Sequence, residues 1–275
     1  MDWRDEGLLL SVRRHGEASA IIEVLTAGHG RHAGLVHGGG GRKLSAVLQP
    51  GTQLSLAWRA RLEDHLGTYR VEPVQGRAAG IMACPARLAA LNALAALCLA
   101  TLPEREPLGP LYGATVGLAD SLAGAAPDWP ALYARWELTL LAELGFGLDL
   151  ARCAATGTRD QLIYVSPRTG RAVSRQAGGP WADRLLPLPA FLAGGAPATM
   201  GAVREALRLT GHFLEAWVRP ALGAEALPEA RGRLLERLDR FEMPAGAPAP
   251  DPNADEREWH RSVGSEGKKG LMLPY

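Results

Sequence analysis

Residues 31–43 read RHAGLVHGGGGRK, an alternating apolar run that ends in four consecutive glycines and a basic pair. A period of two predicts a strand, and the glycines at 38–41 predict a loop that reaches positive φ at low steric cost and lets another molecule approach the backbone. The side chains beside it set the sign of that molecule. Arg31, His32, His37, Arg42 and Lys43 are cationic or can become so, and no Asp or Glu occurs from residue 31 to residue 58. A polyanion is the expected partner, although a mobile basic hairpin tip has the same composition. Nucleotide-cradling motifs are excluded. Gly41 is followed by Arg42, Lys43 and Leu44, where a P-loop needs Gly-Lys and then Ser or Thr. Strand-like sequence is expected on both sides of the glycines, whereas a dinucleotide fold opens a helix there.

Outward from this stretch, the first 75 residues read as short strands separated by turn signals. Residues 8–13 place Leu8, Leu10 and Val12 on one face, and residues 19–26 place Ile22 and Val24 together. Residues 52–59 align Leu54, Leu56 and Trp58 opposite Gln53, Ser55 and Arg59, and residues 67–74 align Tyr69 with Val71. Strands at this spacing without a long intervening helix predict a small closed β-barrel of OB-fold type, an architecture that presents a strand face and loops to single-stranded oligonucleotides. The candidate DNA-binding residues are Arg13, Arg14, Arg31, His37, Arg42, Lys43, Arg59, Arg61 and Arg70. Binding through them would be phosphate neutralisation, sensitive to salt and nearly indifferent to sequence. The same residues would equally serve as a solvated surface. Trp58 and Tyr69 could stack on bases, but they lie in phase with aliphatic residues and are expected in the core.

Composition limits the remaining choices. The chain has 275 residues, 47% of them hydrophobic, with a formal net charge of +1, so a nucleic-acid surface has to be a local patch. Three cysteines are too few for a disulfide framework and fit a reducing cytoplasm, near the nucleoid if DNA is the partner. The opening MDWRDEGLLL is wrong for a signal peptide, and the longest apolar stretch, 88–102, is interrupted by Asn92 and falls short of the roughly 20 residues that span a bilayer. No membrane contact is expected. Nucleophile-elbow, zinc-protease and Cys-His signatures are missing, and His29, His32 and His37 point in different directions along a strand and its turn. No enzymatic activity, cofactor or metal is expected.

After Gly76 the period becomes helical. Pro85 suits a first turn, with Leu88, Leu91, Ala95, Cys98 and Leu102 recurring behind it in a segment buried on most sides. Residues 111–122 give a second helix. Asp128 is placed to cap a third, whose stripe is Tyr133, Trp136, Leu140, Leu141 and Leu144. Residues 148–189 break the pattern with an apolar run at 162–165, a turn at 166–170 and a return at 171–174, which predicts a hairpin. Helices resume at Met200, with Val203, Leu207, Thr210, Leu214, Trp217 and Ala221 on one face and Leu234, Leu238 and Phe241 on another. Residues 243–252, MPAGAPAPDP, read as an extended linker and 253–275 as a charged tail without structure. The expected organisation is α+β: a barrel over 1–77, a helical domain over 78–242 with a β insertion at 148–189, and a linker and tail over 243–275.

The barrel pattern beginning DEGLLLSVRRHGEASAIIEVLT, then GRHAGLVHGGGGRK and the LQPGT turn, resembles the start of the RecO family of bacterial recombination mediators. LDLARCAATGTRDQLIYVSPRTGRAVS followed by ADRLLPLP is similar to the insert those proteins carry between helices. The resemblance implies an OB-fold joined to a helical domain, and a protein without catalytic activity. It also implies binding of single- and double-stranded DNA through basic barrel residues, annealing of complementary strands, and help in loading RecA on DNA coated by single-strand-binding protein. RecR, often RecF, and the single-strand-binding protein tail are the implied partners, the tail docking outside the barrel. One departure stands out. Many relatives carry two CxxC pairs that hold zinc, but here the first reads Cys153-Ala154-Ala155-Thr156 and the second is missing, with Val173 and Ser174 in the strand leading to it. A metal-free insert is expected, stabilised by hairpin pairing and by packing of Leu162, Tyr164 and Val165. A rival from another class is an adaptor whose barrel and helical domain bind acidic protein segments.

Overall fold

Successive side chains on a strand point to opposite faces, so three leucines in a row need cover on both. β1 (Asp2–His15) has it: Leu9 lies in the barrel interior, while Leu8 and Leu10, with Leu25, lie in the core formed by the helices. A bulge between Leu9 and Ser11 shifts the phase, so Val12 returns to the side of Leu9. The grouping of Leu8, Leu10 and Val12 expected from simple alternation is therefore corrected. The structure, a computed structural model, describes residues 1–62 and 64–242, and the linker and tail expected at 243–275 lie outside the described residues.

β1 pairs on one side with β2 (Ser19–Thr26), which pairs with β3 (Gly30–Val36), and on the other with β4 (Gln53–Arg59), which pairs with β5 (Thr68–Gln75). A short parallel seam, Leu35 opposite Thr68 and Val36 opposite Tyr69, joins β3 to β5 and closes the barrel in the order β1-β2-β3-β5-β4. Ile22, Val24, Val36, Leu54, Leu56, Trp58 and Tyr69 fill it, the last two only 2% and 4% exposed. The aromatics are core, as their phase predicts. Gly34 makes room for Tyr69, whose ring a Cβ at that position would strike. Strand-like sequence after the glycines is not what forms. α1 (Arg42–Ser45) is a single helical turn, because Leu44 and Leu48, four residues apart, both pack on the barrel core and the Leu48 N–H bonds the Leu44 carbonyl at 2.8 Å.

α2 (Ala78–Met82), which the periodicity does not announce, leads to α3 (Pro85–Thr101), with Pro85 in its first turn, then α4 (Gly109–Ala123) and α5 (Trp129–Glu143). Asp128 precedes α5, but its side chain makes no capping bond; Gly145, at φ 84°, follows the end of that helix. The insert is larger than a hairpin. β6 (Leu162–Val165) pairs with β7 (Ala172–Ser174) and also with β8 (Leu186–Pro187), reached through α6 (Arg175–Gly178) and a 3-10 turn (Gly179–Arg184). A two-residue edge strand ending in proline carries no alternation to read. α7 (Met200–Phe213) is capped by Thr199, whose hydroxyl accepts from the Ala202 N–H at 3.2 Å. It continues through a π turn (Leu214–Val218) into α8 (Arg219–Ala221). The wider turn rotates the face, so Val218 is buried and Ala221 is exposed. α9 (Glu229–Asp239) packs along α3. Among the described residues, no helix is long and apolar enough to cross a membrane.

Two buried arginines hold this arrangement together. Arg231 on α9 donates to both carboxylate oxygens of Glu137 on α5, at 2.8 and 2.9 Å, and to the Leu207 carbonyl at 2.7 Å; Thr210 of α7 donates to the same carboxylate. Arg77 joins barrel to helices by donating to the Gly51 carbonyl at 3.1 Å and to Asp120 of α4 at 2.7 Å.

Candidate nucleic-acid interface

The glycine loop is packed against its own chain. The Gly39 and Gly40 amides donate to the carbonyls of Val36 and Ala18, and that of Gly41 to Gly38. A Cβ on Gly39 would come within 2.9 Å of the Ala20 Cβ. So the glycines serve the approach of the β1–β2 turn, and those three amides are already bonded. The expectation that the glycines let another molecule approach the backbone is corrected: the loop is a packed platform that carries side chains.

Those side chains converge in part. Arg14 reaches the Gly40 carbonyl at 3.4 Å, and with Val12, Ala20, Ser45, Gln49 and Pro50 it lines a half-open cleft beside the loop. Arg13 precedes it on β1, His37 follows β3 into the loop, and Arg42 and Lys43 form the first turn of α1; all five are exposed. Among the described residues, none of the four Arg and Lys side chains takes part in an ion pair, and Glu17, in the β1–β2 turn, is the acid next along the chain. His15, exposed beside the same turn, was not singled out by the sequence, although its place after Arg13 and Arg14 was the available signal.

Arg59, Arg61 and Arg70 form a second, more mixed group. Arg59 and Arg61 line a hollow with Met1, His65 and Gly67. Register sets Arg59 opposite Asp2, Arg70 in one row with Ala57 and Arg4, and the next row as Glu6, Ser55 and Glu72. Acids thus alternate with bases across the outer face of β1, β4 and β5. His37 and Arg70 each stand one residue beyond the β3–β5 seam.

Arg31 belongs to neither. Its guanidinium is held by Glu23 at 2.6 Å and Glu104 at 3.5 Å, and it donates to the Leu102 carbonyl at 3.0 Å. It is a tether between β2, β3 and the end of α3, with its charge neutralised, and its grouping with the free cations is corrected. His32 faces inward, 3% exposed, against Trp3, Trp58 and Tyr69. Burial, helped by the charge of Arg105, pushes its pKa down to about 4. It is a neutral core residue at neutral pH and adds nothing to the cationic surface.

In the insert, Cys153 is 1% exposed and its Sγ accepts the Ser174 N–H at 3.2 Å. Burial alone would raise the thiol pKa, but hydrogen bonds from Ser174 and Thr156 outweigh it and bring it down to about 6. Hydroxyls thus stand around the single sulfur. Among the described residues, no three His, Cys, Asp or Glu side chains converge as a metal site would need.

A closed five-stranded barrel of OB type, with exposed basic side chains beside its glycine loop, fused to a helical domain carrying a small sheet, defines the class of this protein. Within that class its relatives are clear. The family model for Recombination protein O N terminal matches residues 1–77 and that for Recombination protein O C terminal matches residues 84–226. The chain is 57% identical over 240 residues to the DNA repair protein RecO of Cereibacter sphaeroides, covering 87% of this chain and 99% of that one. It is 56% identical to the protein of that name from Ruegeria, over the same shares, and 51% identical over 247 residues to that of Jannaschia, covering 90% and 100%. The chain belongs to the RecO family.

Proposed function

We propose that this protein acts in DNA repair as a non-catalytic recombination mediator that binds single- and double-stranded DNA, anneals complementary strands and assists loading of RecA on DNA coated by single-strand-binding protein, together with RecR. The observation that carries the DNA-binding part is the group Arg14, Arg42 and Lys43, exposed beside the glycine loop and, among the described residues, in no ion pair, with Arg13 exposed on the other face of β1. A strand laid across it would displace condensed counterions from its phosphates, a term that is independent of sequence. His37 and Arg70 extend the track toward Arg59 and Arg61, where Asp2, Glu6 and Glu72 weaken it. Arg31 is left out because its charge is already neutralised. Family membership supports the repair role, and the mediator so proposed docks the single-strand-binding protein tail outside the barrel.

Annealing is the discriminating test. Mixed complementary oligonucleotides should form duplex faster with the protein present, the acceleration falling steeply as salt rises. If strand pairing is not accelerated while an acidic protein segment is bound, the adaptor reading takes its place.

A further inference from the structure

The insert leaves one large aromatic side chain mostly in solvent. Trp181 lies in the 3-10 turn Gly179–Arg184 and is 55% exposed, flanked by exposed Pro180 and Ala182. It belongs to neither hydrophobic cluster, so the fold does not need its indole for packing. The Arg184 guanidinium lies 5.6 Å from its ring centroid, a cation–π distance. Asp183 contacts the same guanidinium only at 3.9 Å, with both side chains mostly exposed. Residues 148–189 carry six arginines against three aspartates and no other charged side chain, so the insert as a whole is net positive. One of the six, Arg175, is exposed in the one-turn helix just before the indole.

An indole with an arginine on it, between exposed neighbours on an insert of net positive charge, matches an unpaired base on a phosphate chain better than it matches a peptide. We propose that Trp181 is a base-stacking platform for single-stranded nucleic acid, with Arg184 reinforcing the stack and Arg175 facing the backbone. This rests on the DNA-binding reading above and adds to it a contact that duplex DNA, with its bases already stacked, cannot make. Stacking on an aromatic ring is tolerant of sequence, since every base has a π-face.

The test uses the full chain with fluorescein-labelled oligo(dT) and a duplex of equal length, comparing wild type, Trp181→Ala, Trp181→Phe and the double variant Arg42→Ala/Lys43→Ala. Trp181→Ala should weaken oligo(dT) binding by about 5- to 150-fold, leave duplex binding and the salt slope unchanged, and be largely rescued by Trp181→Phe. The tryptophan quenching that oligo(dT) causes in wild type should be lost in Trp181→Phe while affinity persists. If Trp181→Ala binds oligo(dT) like wild type while the Arg42/Lys43 variant is weakened, the platform is wrong and the barrel reading survives. The converse pattern keeps the platform and moves the main site off the barrel. Equal losses on oligo(dT) and duplex, or an acidic peptide that quenches Trp181 while oligo(dT) does not, also overturn the inference. Wild type that binds neither nucleic acid defeats both readings.

Discussion

The barrel surface and the interior of the helical domain use arginine in opposite ways. Beside the glycine loop Arg42 and Lys43 stand exposed and, among the described residues, in no ion pair, whereas Arg231 is 7% exposed and saturated by Glu137 and the Leu207 carbonyl. The first arrangement leaves a charge available to a partner. The second uses the charge to fix three helices. Arg31 shows that the two uses can sit eleven positions from one another in a single stretch, since it lies in the same run as Arg42 yet is held by Glu23 and Glu104. Charge along the chain therefore says little about function until the partners are known.

Breaking the buried arrangement should have the largest effect. Glu137→Ala leaves the Arg231 guanidinium in the core without its carboxylate, at a cost of about 3–5 kcal/mol in urea unfolding. Replacing both residues by apolar ones of similar volume should recover most of that loss. A Glu137→Ala variant as stable as wild type would mean that the pair does not hold α5 to α9.

His32 gives an effect of about 3 kcal/mol, because its depressed pKa of about 4 against 6.5 in the unfolded chain is linked to stability at about 1.4 kcal/mol per unit. The unfolded state binds the extra proton between those values. Stability is thus full above pH 6.5 and falls as the pH drops toward 4. Denaturation of wild type and His32→Gln across this range should show a slope in the former that is shallower in the latter; equal slopes would remove His32 from the explanation.

Arg31→Ala should cost about 1–3 kcal/mol, since it strands a partly buried Glu23 and the Leu102 carbonyl, while the salt dependence of DNA binding stays as in wild type. Loss of salt slope in that variant would return Arg31 to the cationic surface. At the small end, prolonged chelation should leave the thermal unfolding midpoint in place, because the Cys153 thiol is met by Ser174 and Thr156. A lowered midpoint, restored by zinc, would show that the insert depends on metal.

The α+β class, the barrel and the helical domain were legible because alternation and helical periodicity are local. Leu54, Leu56 and Trp58 share a face within one strand, and Tyr133, Trp136, Leu140 and Leu141 within one helix. What escaped depends on distant residues or on breaks of period. The bulge in β1 regroups Leu8, Leu9 and Leu10, the π turn exchanges Ala221 for Val218, and β8 is two residues long. The Glu137–Arg231 pair spans 94 residues, and nothing beside either one announces it. The candidate surface was legible as a composition and not as a geometry: the glycines proved to be a platform, and partners 8 and 71 residues away removed Arg31 from it.

The most direct test of the cationic platform is the salt dependence of single-stranded DNA affinity in wild type and in Arg42→Ala/Lys43→Ala. Both side chains are exposed and, among the described residues, neither is in an ion pair, so stability should stay within about 0.5 kcal/mol of wild type. Affinity should drop for every sequence tested, and the slope of log K against log salt should shrink by about 1 to 2. An unchanged slope at unchanged stability would contradict the account and place the DNA-binding surface elsewhere.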